Sequence, residues 1–335
     1  MTRIRPLFAL AILPLAGLAA FVGTSLAADP AARPSALPPM VHPEDNAPTP
    51  EKLALGGQLF VDPRLSGTGT MACQGCHYHE LGWTDAKALS PKDNGTLNTR
   101  HTPSLYNVGY QTLWYWDGRA PTLEAQVLAA WKAQINGDPA LVTPIIAAVP
   151  EYAAQFQKVF GGPPTPDTIV KALAAYLRTK VSDHSPWDRY EMGDSAAVNA
   201  DAVAGHALFT GKAGCAACHA PPFYGNSTFF NIGLEYGKSN PDVGRFKITS
   251  NEVDRSAFKT PSLRSVARGA PYFHDGSAAT LEAAVRYMAG GGGADPKKSE
   301  VLDDSQLSDA EIGQLVAFLT ALNSEEPWEQ PAIPK

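Results

Sequence analysis

Cysteine is scarce in this chain, with four residues in 335, and no excess of positive charge is present: 27 lysines and arginines stand against 33 acidic residues, a net charge of −6. A surplus of acid makes nucleic acid an unsuitable partner. Only 18% of residues are charged and 44% are hydrophobic, so the chain is not a disordered one. No apolar run beyond Gly23 is long enough to cross a bilayer. The one such run, Leu7 to Gly23, follows Arg3 and Arg5 and precedes the small-residue pattern Ser25-Leu26-Ala27, which reads as an export signal over residues 1–27. An uncleaved anchor is the alternative, and Pro14 in the middle of the run argues against it. Removal of the signal takes away two positive charges, leaving 25 basic and 33 acidic residues, or −8. The 29 glycines and 29 prolines predict many turns and little extended sheet.

All four cysteines fall in two copies of one pattern, Cys73-Gln74-Gly75-Cys76-His77 and Cys215-Ala216-Ala217-Cys218-His219. Two thiols at this spacing can each form a thioether to one vinyl group of a porphyrin, and the histidine that follows then lies beneath the iron. Two disulfides or a zinc site made from both cysteine pairs are the rival readings. Neither accounts for a histidine at the same place twice. The pattern therefore predicts two covalently bound c-type haems, attached through Cys73, Cys76, Cys215 and Cys218 and ligated by His77 and His219.

Comparison of the chain with itself reveals two halves of one plan. Ala54-Leu55-Gly56-Gly57-Gln58-Leu59-Phe60 precedes the first motif, and Val203-Ala204-Gly205-His206-Ala207-Leu208-Phe209 precedes the second. Thr102-Pro103-Ser104-Leu105 answers to Thr260-Pro261-Ser262-Leu263, and thirteen residues beyond each proline Trp116-Asp117-Gly118 answers to His274-Asp275-Gly276. In the same register Met288 stands opposite Ala130. Sulfur on the second iron would close it to substrates and raise its potential, whereas an iron facing a methyl group stays open to a small ligand. Met40, Met71 and Met192 are less well placed than Met288 for this role.

The expected organisation is mainly α, with two cytochrome c-like domains and long loops. Residues 28–48 form a Pro-rich extended arm, 49–190 an N-terminal domain and 191–335 a C-terminal domain, with the polar stretch 182–199 as linker. Ile169, Val170, Leu173, Tyr176 and Leu177 have helical spacing, and Ser308-Asp309-Ala310-Glu311 reads as a capping box opening a helix through Ile312, Leu315 and Leu319.

With its paired attachment motifs, Trp116-Asp117-Gly118-Arg119 and Pro271-Tyr272-Phe273-His274-Asp275-Gly276, the chain resembles the bacterial di-haem cytochrome c peroxidases and their MauG-like relatives. The resemblance implies a periplasmic enzyme reducing hydrogen peroxide at the first haem, with electrons entering the second from a small cytochrome c or copper protein. It implies a homodimer too. Trp116 matches the tryptophan between the haems and Gln126 the pocket glutamine. Met288 falls where peroxidases have an axial methionine and MauG-like proteins a tyrosine; Tyr287 is its neighbour, so a shift of one position would give the other ligand.

Three features depart from the family pattern or bear on it. Asn136 occupies the place of the catalytic glutamate, with Gln134 nearby. An asparagine can bond to peroxide but cannot shuttle its proton, a loss of ~10²- to 10⁴-fold in rate. His101 stands where an asparagine helps bind calcium between the haems, which leaves backbone carbonyls such as those of Gly269 and Pro271 and counts against a calcium site. No histidine lies between His79 and His101 to block the first haem, so it is expected to be open when oxidised, unless His101 itself reaches the iron. A MauG-like oxidase acting on a partner protein and a di-haem electron carrier without enzymatic activity are the alternatives.

Overall fold

Helix caps written in the sequence start most of the elements. The computed structural model describes residues 36–335, so the expected signal at 1–27 and the first residues of the arm lie outside the described residues. Thr49 caps α1 (Pro50–Val61), Thr122 caps α2 (Leu123–Ala133) and Asp138 caps α3 (Pro139–Ala147). Proline at the first helical position opens α4 (Pro150–Phe160), α5 (Pro166–Leu177) and α6 (Pro186–Glu191). Asn199 caps α7 (Ala200–Thr210), α8 is one turn (Phe246–Thr249), Thr280 caps α9 (Leu281–Ala289), and the capping box Ser308–Glu311 opens α10 (Asp309–Ala321). Sheet among the described residues is limited to β1 (Phe229–Phe230) paired antiparallel with β2 (Phe258–Lys259). No helix of the described residues is long and apolar enough to cross a membrane.

The internal repeat is realised as two helical domains with separate cores. In the first, α1 crosses α5, burying Leu55, Leu59 and Phe60 against Ile169, Leu173 and Leu177, with Trp83, Trp131, Tyr152 and Phe156 filling the rest. In the second, α7 crosses α10 around Phe209, Trp187, Tyr224, Leu315 and Phe318. A glycine at each crossing lets the backbones touch: a Cβ on Gly56 would collide with the Ala172 carbonyl, and one on Gly205 with the Gln314 carbonyl. These glycines occupy matching places in the two repeats. Gly205→Ala is expected to force the α7–α10 pair apart and lower stability by about 1–3 kcal/mol, read as a fall in guanidinium midpoint with unchanged slope.

The aligned segments also meet across the domain junction. His101 N–H donates to the His274 carbonyl (2.7 Å), and Lys259 N–H donates to the Trp116 carbonyl (2.8 Å). His101 aligns with Lys259 and Trp116 with His274, so the two bonds are related by the repeat itself.

Two segments differ from expectation. The arm is docked from residue 36 onward: Asn46 is fully buried and its amide donates to Glu124 Oε1 and the Lys171 carbonyl. The polar linker contains α6, whose Trp187 joins the second core and whose Asp188 makes a buried pair with Arg264, so α6 packs with the second domain although it precedes residue 191. Beyond α10 the chain returns to the first domain, where Trp328 Nε1–H donates to Tyr176 Oη (2.9 Å) and the Pro334 carbonyl accepts from Arg64 (2.7 Å).

Candidate functional site

A cavity of about 760 Å³ opens in the first domain above Cys73, Cys76 and His77. Its volume lies in the range of cofactor sites, ~300–1,000 Å³. Apolar walls come from Phe60, Leu65, Val127, Trp131 and Leu173. Cys73–Cys76 forms one turn of 3-10 helix, which brings both thiols to the same wall. All four cysteines are free thiols, and Cys73 packs on the first core while Cys215 packs on the second. That separation disposes of a zinc site shared by the two pairs. Burial pushes the Cys73 thiol up to about 12 and the Cys76 thiol up to about 11, so both are held as neutral thiols in an apolar pocket.

His77 is oriented through its far nitrogen. Nδ1–H donates to the Trp83 carbonyl (2.7 Å), which leaves Nε2 as the ligating atom, and burial pulls the imidazole down to about 4, the neutral form an iron requires. The second domain repeats the device. His219 Nδ1–H donates to the Tyr224 carbonyl (3.0 Å), and burial again lowers its pKa. Both attachment motifs thus fit a covalent haem with a histidine ligand beneath it.

One wall of the cavity that His77 lines is supplied by α2. Gln126, Ala130 and Gln134 stand one helical turn apart, and all three line the cavity. Gln134 Oε1 is buried with no hydrogen-bond partner among the described residues, an unusual state for an amide oxygen and one that a ligand entering the cavity would correct. Asn136 does not line the cavity. After Gln134 the backbone leaves the helix and turns left-handed (φ 50° at Asn136), which packs Asn136 against the Gly67 turn instead. The lining of the cavity thus holds Gln134 where Asn136 was expected. Counting in helical turns from Gln126 would have found Gln134, whereas counting in residues from the family pattern pointed to Asn136.

Trp116 lines the same cavity at the domain junction. Its Nε1–H donates to the His101 carbonyl (2.9 Å), and its ring meets that of His274 edge-on at 6.4 Å. His101 also lines the wall, with Nδ1–H given to the Lys87 carbonyl (2.8 Å). His79 turns away, its Nε2–H donating to the Glu326 carbonyl (2.7 Å).

On α9 the two candidate ligands of the second iron part company. The Tyr287 phenol donates to the Ile232 carbonyl (3.0 Å) and its ring packs on Phe273 at 5.2 Å. Met288 is half-buried one position further on the same helix. Lys259, a residue unmarked in the sequence, reaches the wall of the first cavity from β2.

Residues 50–196 match the family described as di-haem cytochrome c peroxidase, and residues 202–323 match the cytochrome c family. Cytochrome-c peroxidase IdrP1 of Denitromonas iodatirespirans is 38% identical over 89% of this chain and 89% of its own length. Methylamine utilization protein MauG of Methylorubrum extorquens is 42% identical over 88% of this chain and 83% of its own. A MauG-like protein associated with microbial copper homeostasis superposes with a TM-score of 0.81 at 31% identity, over 88% of this chain and 95% of that one.

Proposed function

The chain belongs to the di-haem cytochrome c peroxidase family, and from that premise we propose that it is a periplasmic peroxidase reducing hydrogen peroxide to water with two electrons from a small cytochrome c or copper protein. The observation that carries this reading is the unequal pair of walls: amides and Ala130 over the first site, Met288 in the matching register of the second. Cys73, Cys76 and His77 would hold a haem c, which would supply the iron for reductive cleavage of the O–O bond.

The chain's own groups set up that cleavage. The Trp83 carbonyl, by accepting from Nδ1–H, makes His77 Nε2 a better donor to the metal. Gln134 Oε1 accepts a hydrogen bond from the incoming peroxide, and Gln126 holds it from one turn earlier on α2. Neither amide can give or take a proton, so the two protons of the balanced reaction, H₂O₂ + 2e⁻ + 2H⁺ → 2H₂O, arrive through water. Turnover is correspondingly slower than with a carboxylate in place. Trp116, pinned between the His101 carbonyl and the His274 ring, links the two sites for electrons.

A second reading draws on the 42% identity to MauG: oxidation of a partner protein with the same two haems. The Tyr287 hydrogen bond to Ile232 counts against a tyrosine ligand and hence against this reading. Rapid mixing of the purified, fully loaded protein with peroxide tests both. Turnover of a reduced small cytochrome supports the peroxidase, a long-lived oxidised state without turnover supports the alternative, and inertness to peroxide defeats both.

Gln134→Leu is expected to slow the peroxide reaction by about 5- to 150-fold, equivalent to ~1–3 kcal/mol for one hydrogen bond in a buried site. Asn136→Ala should leave the rate unchanged. Stopped-flow measurement of the peroxide-dependent phase distinguishes the two, and equal sensitivity at both positions would refute the assignment of Gln134.

A further inference from the structure

We infer that Lys259, a residue of the second domain, is the counter-charge for a haem propionate in the cavity of the first. The inference rests on the reading that a haem occupies that cavity. Lys259 is 8% exposed and lines the wall, yet its ammonium has a single hydrogen-bond partner among the described residues, the neutral Gln111 Oε1 at 2.8 Å. An ammonium carries three donors, so one amide oxygen leaves it undersatisfied as well as unneutralised.

The other cations of the cavity are accounted for. Arg100 pairs with Asp117 (2.8 Å) and Asp242 (2.7 Å), Arg119 shares Asp117 (3.0 Å), Arg264 pairs with Asp188 (2.8 Å), and Lys247 is exposed to water. The two carboxylates on the wall, Asp117 and Asp242, are thereby taken. Burial pulls the Lys259 ammonium down to about 8, as expected of a desolvated charge with no anion beside it among the described residues. A buried charge of this kind is retained when something of opposite sign meets it. Hydrogen peroxide is neutral and cannot serve. The porphyrin for which Cys73, Cys76 and His77 are arranged carries two carboxylates, and these are anions at every working pH.

Placement gives the pairing a consequence. Lys259 N–H is bonded to the Trp116 carbonyl, so the residue that neutralises the first haem's edge is fixed to the tryptophan joining the two sites. A positive charge held there favours arrival of an electron on that haem, and it comes from the domain that delivers the electron.

The test uses the fully loaded protein. Peptide mass spectrometry first establishes haem on both motifs; its absence from the Cys73–Cys76 peptide of the wild type would overturn the underlying reading, and this inference with it. With both haems attached, Lys259→Met is expected to lower the midpoint potential of the first haem in a redox titration, and Lys259→Arg to restore it. An unchanged potential in Lys259→Met overturns the inference while leaving the two-haem reading intact. Should the methionine variant fail to mature, a crystal structure of the wild-type holoprotein decides: Lys259 Nζ within hydrogen-bond reach of a propionate oxygen supports the pairing. A Lys259 bonded to Gln111 and a free anion, or to Gln111 alone, refutes it.

Discussion

Oxidised protein carrying Met288→Ala is expected to lose the low-spin iron signal of its second haem completely, leaving two high-spin centres in a low-temperature electron paramagnetic resonance spectrum. The wild type should give one of each kind. A Met288 thioether bound to the second iron would make it low-spin and raise its potential, and alanine supplies no replacement atom. The potential of that haem should fall, and with it the supply of electrons for peroxide turnover. Tyr287→Phe is the control. Its hydroxyl is committed to the Ile232 carbonyl (3.0 Å), so the substitution should cost about 1 kcal/mol of stability and leave the spectrum as it was. A low-spin signal that survives in Met288→Ala and vanishes in Tyr287→Phe would reverse the ligand assignment and favour protein oxidation over peroxide reduction.

Much of this architecture could be read from the chain because local signals agreed with the repeat. The capping box at Ser308–Glu311 and the spacing from Ile169 to Leu177 became α10 and α5, and the aligned glycines became the two helix crossings. Residues that act through distant contacts left no such trace. Nothing around Lys259 indicates that β2 carries its side chain into the other domain's cavity, because the sequence pattern of a two-residue strand is too short to define a face. Asn136 misled for a geometric reason: a residue count assumes the backbone keeps its course, and here the helix ends at Ala133 and the chain turns left-handed three residues later. The polar character of residues 182–199 suggested a linker. Asp188 is polar yet buried, since its charge is matched by an arginine 76 residues away.

That pair carries the largest stability effect expected in the molecule. Asp188 and Arg264 are 0% and 1% exposed, joined by two parallel bonds of 2.8 and 2.9 Å. Ser185 donates to the same carboxylate from its backbone N–H (2.8 Å) and hydroxyl (2.7 Å), and Arg264 Nε–H donates to the Pro222 carbonyl (2.6 Å). Asp188→Ala removes one charge and strands the other, for which ~3–5 kcal/mol of destabilisation is expected in denaturant unfolding of the holoprotein at neutral pH. The double variant Asp188→Ala with Arg264→Met should recover much of the loss, because the stranded guanidinium is the larger part of the cost. The pH dependence has a definite sign. Burial by itself raises the Asp188 pKa, but the bonds from Arg264 and Ser185 outweigh it and hold the carboxyl below its ordinary 3.8. A carboxylate with a depressed folded-state pKa contributes its full stabilisation above the unfolded value and loses it as pH falls through the folded one. The gap between wild type and Asp188→Ala should therefore be constant from neutral pH down to about 5 and close below about 4. A gap that stayed wide in strong acid would mean that the alanine variant suffers from lost packing in α6, and that the ion pair contributes little.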